Sequence, residues 1–176
     1  MIKVELAKKQ NIKDVFLLRD SVYPDNRYNL NDYHNYWVWY FLNNPRNSSL
    51  VLIGQKNERI IGHAGLLPSE FNLYGKKIWS GFYCELMIHE KYRNSDLFFK
   101  IEKKIIEEYK NYNYDFVYSL ITIKKVLNAH LLFGFKKIGE LNVYARPIKI
   151  NLILKKITKS KLLRIFFYPF AFLAEK

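Results

Sequence analysis

The sequence predicts an α/β domain, α+β in layout, with a mixed and mainly antiparallel central sheet flanked by helices. Three observations lead there. Hydrophobic residues make up 49% and aromatics 17% of the 176 residues, enough to fill one full-sized core and too many for a disordered chain. Residues 48–88 alternate in the manner of strands and are broken by two turn signals. Amphipathic stretches of helical period stand on either side of that block, and the second of them precedes a strand-like run to make a β-α-β unit.

MIKVELA, residues 1–7, alternates as a first strand, and IKDVFLLRDSVY, residues 12–23, spaces its apolar residues as an amphipathic helix. A Pro-Asp-Asn turn follows at 24–26. LNDYHNYWVWYFLNNP, residues 30–45, offers Asn31 or Asp32 as a cap, a packed run of aromatics and Pro45 as a stop, and reads as a second helix. Residues 48–88 give three strands with turns at 56–58 and 74–76, an antiparallel meander. A basic helix is expected over 96–112, with Leu97, Phe98, Ile101, Ile105 and Ile106 on its apolar side. DFVYSLIT, residues 115–122, reads as a buried strand, and LNAHLLFGF, residues 127–135, as a short helix ending near Gly134. KKIGEL and NVYARPIKI, residues 136–150, read as two closing strands.

The formal net charge is +13. It suits an anionic partner such as nucleic acid, a membrane surface or a phosphorylated ligand, and a Lys-rich solvated background explains it equally well. Residues 149–176 hold seven Lys or Arg and one Glu, net +6, which leaves +7 on residues 1–148. No recognised nucleic-acid reader motif is present and the basic residues are not confined to one helix, so no specific nucleic-acid partner is expected. The single cysteine, Cys84, cannot close an internal disulfide, and no run of 18 uncharged apolar residues occurs. The expectation is a cytoplasmic protein that does not span a membrane.

Several stretches, in the correct order, carry a family resemblance. WVWYFLNNP resembles a Trp-x-Tyr-x-x-Asn-Pro element, filled approximately by Trp37 or Trp39, Tyr40, Asn44 and Pro45. RIIGHAGLLP resembles a third strand with Gly62 and Pro68. ELMIHEKYR resembles a fourth strand running into a cofactor loop, and GFKKIGELNVYARPIK resembles closing strands ending in Tyr144, Arg146 and Pro147. Over residues 35–149 the chain is thereby similar to a bacterial branch of the GCN5-related N-acetyltransferases, the GNAT superfamily. The resemblance implies acetyl transfer from acetyl-CoA, or another acyl-CoA, to a small amine, an amino sugar among the acceptors it suggests.

The family's cofactor motif is Gln/Arg-x-x-Gly-x-Gly/Ala. Here Arg93 fills its first position, Asp96 stands at the first glycine and Phe98 at the last. The motif aims backbone N–H groups and a helix N-terminus at a pyrophosphate. The resemblance therefore implies a cofactor set of Met87, Ile88, Arg93, Asn94, Ser95, Asp96, Leu97 and Phe98. Asp96 is the departure, because it adds a Cβ and a carboxylate where phosphates approach. Two geometries are open: Asp96 caps the helix and uses the amides, or it turns outward to Lys100 or Lys103 and leaves them to the phosphates.

Acetyl transfer needs a base for the ammonium nucleophile, donors to the thioester carbonyl and an acid for the leaving thiolate. Glu85, in the apolar run FYCELMI, fits a base of raised pKa; a strand carboxylate paired with a surface lysine is the alternative. Four residues before Gly134, where the family commonly has its acidic Tyr, stands His130. Tyr36, Trp37 and Trp39 are candidates for an acceptor-binding wall, since flat rings stack on sugars and nucleobases, and the same stripe would serve as core. His63 is a further substrate-side candidate if alternation turns it opposite Ile61. No Cys/His cluster suggests a metal, and Cys84 has no companion of telling spacing.

The expected organisation is a domain over 1–148 and a basic, aromatic tail over 149–176. LLRIFFYPFAFLA is too short to span a bilayer, and the lysines before it together with its aromatics fit peripheral contact with a membrane at its inner face, a protein partner or homodimer through residues 157–176, or a helix folded over the core. A GNAT fold that binds through this tail without catalysis is the alternative function.

Overall fold

The computed structural model describes residues 1–24, 28–46 and 48–142. Strand β1 (Lys3–Leu6) leads into helix α1 (Ile12–Val22), and α2 (Leu30–Trp37) continues as a π-helical turn over Val38–Leu42. The antiparallel strands β2 (Leu50–Lys56), β3 (Arg59–Leu73) and β4 (Lys76–Ile88) follow, then α3 (Leu97–Glu108), β5 (Phe116–Tyr118) and α4 (Lys124–Leu131). Among the described residues the sheet order is β1-β2-β3-β4-β5, with only the β4–β5 pair parallel. This is the α/β architecture that the sequence predicts.

Local sequence explains the meander. The β2–β3 turn places Asn57 at φ 49° and Glu58 at φ 63°, and the β3–β4 turn places Tyr74 at φ 51° and Gly75 at φ 81°. Two consecutive left-handed residues match the right-handed twist of the flanking strands and fix the register, Lys56 opposite Arg59 and Leu73 opposite Lys76. Helix α2 is capped by Asn29, whose side chain accepts the Asp32 N–H at 2.9 Å. The cap thus lies before both Asn31 and Asp32, because the helix already begins at Leu30 and its free Asp32 N–H is reached from Asn29.

Both faces of the sheet are covered. Val51, Ile53 and Ile60 pack with Ile12, Val15, Leu18, Tyr33, Trp37 and Phe41 of α1 and α2. Leu50, Leu52, Ile61 and Leu66 pack with Leu97, Ile101 and Ile105 of α3. Leu97 sits over two glycines of neighbouring strands. A Cβ built on Gly54 would meet its Cδ1 at 2.3 Å, and one on Gly62 its Cδ2 at 2.9 Å. The missing side chains form a socket for Leu97 that seats the first turn of α3 against the sheet. Ile106, expected on the apolar side, is 41% exposed, since the buried stripe runs through 97, 101 and 105.

Two expectations at the C-terminal side change. Strand β5 is only Phe116–Tyr118, because its β4 partners are limited to Ser80–Phe82. Residues 136–141 are irregular and pair with no strand among the described residues, with Ile138 96% exposed. Asp25 and Asn26 of the expected turn, NVYARPIKI from Val143 on and the basic tail lie outside the described residues. Residues Met1–Lys136 form one compact unit and Lys137–Lys176 a second. No helix among the described residues is long and apolar enough to cross a membrane.

Gly54→Ala and Gly62→Ala are each expected to lower stability by about 1–3 kcal/mol through overpacking against Leu97, read as a fall of about 2–4 °C in Tm per kcal/mol. Gly139→Ala, where a new Cβ meets nothing within 4 Å, is the control and should leave Tm unchanged.

Candidate active site

The register of β3 against β4 breaks once. Gly62 faces Ile88 and His63 faces Met87, but Gly65 faces Cys84, so β4 holds one extra residue between Cys84 and Met87. Glu85 lies in that bulge with φ 53°, a left-handed conformation that costs a non-glycine residue about 1–2 kcal/mol. The strain is offset by three contacts. Trp37 of α2 donates its indole N–H to His63 Nε2 at 3.3 Å, His63 Nδ1 lies 3.0 Å from the Glu85 carbonyl oxygen, and the Tyr36 hydroxyl donates to Glu85 Oε1 at 3.2 Å.

The bulge sits where the sheet opens. Beyond the Phe82–Tyr118 pair, β5 leaves β4 and the last link is Ser119 Oγ donating to the Tyr83 carbonyl at 3.0 Å. His89 N–H bonds the Ile61 carbonyl at 2.9 Å, and ladder alternation from that bond turns the Met87 N–H toward β3 and the Ile88 N–H toward the opening. Arg93 Nε reaches the Ile88 carbonyl at 3.3 Å from that same side. Of the two strand residues expected at the cofactor, Ile88 faces the opening and Met87 does not; Met87 is also 1% exposed.

Glu85 is half-buried, and burial raises its carboxyl above the usual carboxylate range, opposed by the Tyr36 hydrogen bond and the Arg19 charge. Arg19 is 6% exposed with its guanidinium 5.0 Å from the Tyr28 ring centre. Rings line this flank in a stack: Tyr28 on Tyr36 at 5.6 Å, Tyr36 on Tyr40 at 5.0 Å and Tyr40 on Trp39 at 6.0 Å. Burial and the Glu85 charge push the Cys84 thiol up to about 12, which keeps it a neutral thiol and removes it as a nucleophile.

The loop between β4 and α3 resolves the Asp96 alternatives. Asp96 precedes α3 at φ −73° without a side-chain capping bond, and its carboxylate pairs with Lys100 at 2.7 Å. That pairing holds its pKa below the ordinary value. A negative φ has no need of glycine. Ser95 takes over the cap: its Oγ accepts the Leu97 N–H at 3.3 Å and donates to the Tyr92 carbonyl at 2.7 Å. The amides of Arg93 and Ser95 are bonded to the Glu90 and Tyr92 carbonyls, so Ser95 has a structural task and both it and Leu97 leave the expected phosphate set. Helix geometry leaves the Phe98 and Phe99 N–H groups without intrahelical acceptors.

Two further expectations, for His63 and His130, are corrected, and the aromatic stripe divides between its two readings. His63 is 0% exposed and lies in the core, because β3 is covered on both faces and alternation there does not separate inside from outside. Trp37 is likewise 0% exposed, whereas Trp39 is 65% exposed and Tyr36 is half-buried. His130 is 2% exposed, with Nδ1 3.1 Å from Glu102 Oε2 and ring contacts to Tyr83, Phe98 and Phe135. It ties α4 to α3 and does not face the opening. Glu102 has no exposed surface and also accepts the Tyr83 hydroxyl at 2.7 Å. Its partners lie 19 and 28 residues away, and a lone Glu on a charged helix gave no sequence signal of them.

Comparison with known proteins places this geometry. The family model for the acetyltransferase (GNAT) domain matches residues 3–121. No curated protein matches the sequence. Among solved structures, a predicted acetyltransferase with acetyl-CoA from Clostridium acetobutylicum is similar at TM-score 0.67 and 17% identity, over 82% of this chain and 96% of that one. Glucosamine-6-phosphate N-acetyltransferase from Arabidopsis thaliana gives TM-score 0.67 at 8% identity, over 84% and 99%. An aminoglycoside acetyltransferase from an uncultured soil metagenomic sample, in complex with sisomicin, gives 0.59 at 13%, over 82% and 93%.

Burial lowers the His63 pKa from 6.5 to about 4. The folded state therefore binds fewer protons than the unfolded chain between those values, so stability is full above pH 6.5 and falls as pH drops through 4. The loss attributable to this ring is on the order of 3 kcal/mol. Denaturant titrations of the wild type and His63→Gln between pH 7 and 4 should show the extra acid sensitivity only in the wild type.

Proposed function

The chain belongs to the acetyltransferase (GNAT) domain family, and from that membership we propose that its bulged fourth strand catalyses direct acetyl transfer from acetyl-CoA to a small primary amine held against the Tyr28–Tyr36–Tyr40–Trp39 stack. The observation that carries the proposal is the position of Glu85, a half-buried carboxyl of raised pKa at the bulge where β4 loses its β5 partner. The family uses an acyl-CoA in general, and the residues present fit one. The opening exposes strand amides, Arg93 stands beside it, and Asp96 is turned to Lys100 instead of consuming helix N–H groups.

Acetyl-CoA, when bound, supplies a thioester whose carbonyl carbon is the electrophile. The residues that would hold its phosphates are Arg93, the Asn94 backbone and the Phe98 N–H in the first turn of α3, with the helix N-terminus adding positive potential. Glu85 takes the proton from the acceptor ammonium, and its burial matches its basicity to that task. The Tyr36 hydroxyl fixes the carboxylate oxygen that it bonds. The stacked rings offer flat faces to an amino sugar, whose axial C–H groups are apolar and whose ammonium is attracted to π faces. Neighbours of this fold include enzymes named for glucosamine-6-phosphate and for aminoglycosides, which supports sugar amines as the first acceptors to try.

Thermal unfolding with acetyl-CoA tests the reading directly: saturation at 100 times Kd should stabilise the protein by about 2.7 kcal/mol, and no shift at millimolar ligand would reject it. Glu85→Gln should lower kcat by about 10²-fold or more, the scale of general-base catalysis, while calorimetry shows acetyl-CoA affinity within twofold of wild type. Asp96→Gly should tighten acetyl-CoA binding severalfold at low salt, an effect that shrinks as ionic strength rises.

A further inference from the structure

We propose that His63, locked by Trp37, is a positioning residue that aims the Leu86 backbone N–H into the opening as the donor to the acyl carbonyl. The proposal rests on the acyltransferase reading above for the identity of the acyl group and on geometry for everything else.

The Trp37 indole N–H can only donate, so His63 Nε2, 3.3 Å away, must be the acceptor and therefore carries no proton. The ring proton of the neutral imidazole then sits on Nδ1, which donates to the Glu85 carbonyl oxygen at 3.0 Å. A trans peptide is planar, with its C=O and N–H pointing in opposite directions. Holding the Glu85 carbonyl against His63 consequently directs the Leu86 N–H away from His63 and out of the β3 side of the sheet. The left-handed Glu85 backbone, φ 53°, lies in the bulge where the β3–β4 register shifts.

His63 is held as firmly as the peptide it bonds. It has no exposed surface, and the Phe41 and Trp37 rings lie 5.6 and 6.5 Å from its own. Gly65, two residues on, has no room for a side chain, since a Cβ there would meet Phe41 Cε1 at 2.4 Å. The same helix that presents Tyr36 to the Glu85 carboxyl therefore presents Trp37, one residue later, to the ring that fixes the Glu85 carbonyl. Adjacent residues of α2 set the base through its side chain and the carbonyl donor through its peptide.

The test compares acetyl-CoA with CoA, because only the former carries the acyl carbonyl. Calorimetric Kd values give the ratio Kd(CoA)/Kd(acetyl-CoA) for wild type, His63→Leu, His63→Gln and Trp37→Phe. His63→Leu should reduce the ratio about three- to tenfold, the worth of one neutral hydrogen bond. His63→Gln, whose amide can donate to Glu85 and accept from Trp37, should keep it within about twofold. A folded His63→Leu with the wild-type ratio overturns the proposal.

Should His63→Leu fail to fold, a ratio in Trp37→Phe and His63→Gln that matches wild type in the second and falls in the first still supports it, and a fall in neither overturns it. Nitrogen chemical shifts of the wild-type ring give a check that involves no nucleotide: a protonated Nδ1 and a bare Nε2 at pH 7 are expected, and the opposite tautomer would sink the proposal. Wild-type protein that binds neither nucleotide while showing the expected tautomer would reject the acyltransferase reading, and with it the positioning role of His63 toward an acyl carbonyl.

Discussion

The left-handed backbone of Glu85 governs the arrangement around it. A strand residue at φ 53° sits where the register between β3 and β4 breaks and puts a carboxyl at the place where β4 and β5 part. Such a conformation costs about 1–3 kcal/mol and persists only when its surroundings over-determine it. Here they come from three elements: the Tyr36 hydroxyl and Trp37 indole of α2, the His63 ring of β3, and the charge of Arg19 on α1. The aromatic stretch is packed as core on one edge and exposed on the next, with 0% exposure at Trp37 and 65% at Trp39.

A second constraint seats the helix that follows the site. Leu97 occupies the space above Gly54 and Gly62, so the first turn of α3 is held to the sheet by shape. The loop before it has no glycine, yet it folds without left-handed residues at Asp96, with Ser95 as its cap and Lys100 drawing the Asp96 carboxylate aside. The buried Tyr83–Glu102–His130 cluster ties β4, α3 and α4 together on the other side of the opening.

The meander, the order of elements and the family were readable because their signals are local: Asn57-Glu58 and Tyr74-Gly75 at the turns, apolar spacing at 97, 101 and 105, and short motifs in sequence. Glu85 was readable as a carboxylate in an apolar strand. His63 and His130 lie in other surroundings than expected for a common reason. His63 was placed by strand alternation and His130 by counting back from Gly134, whereas the burial of each is decided by an element many residues away, 26 for Trp37 and His63 and 28 for Glu102 and His130. The bulge itself shifts alternation by one residue, and nothing in FYCELMI announces it.

The most direct test of this account is a crystal structure of the protein with acetyl-CoA. The account predicts the bulge at Glu85 intact, the thioester oxygen within about 2.7–3.2 Å of the Leu86 nitrogen, and the phosphates against Arg93 and the start of α3. An acyl group lying elsewhere, or a Glu85 peptide turned back into the β3 ladder, would contradict it.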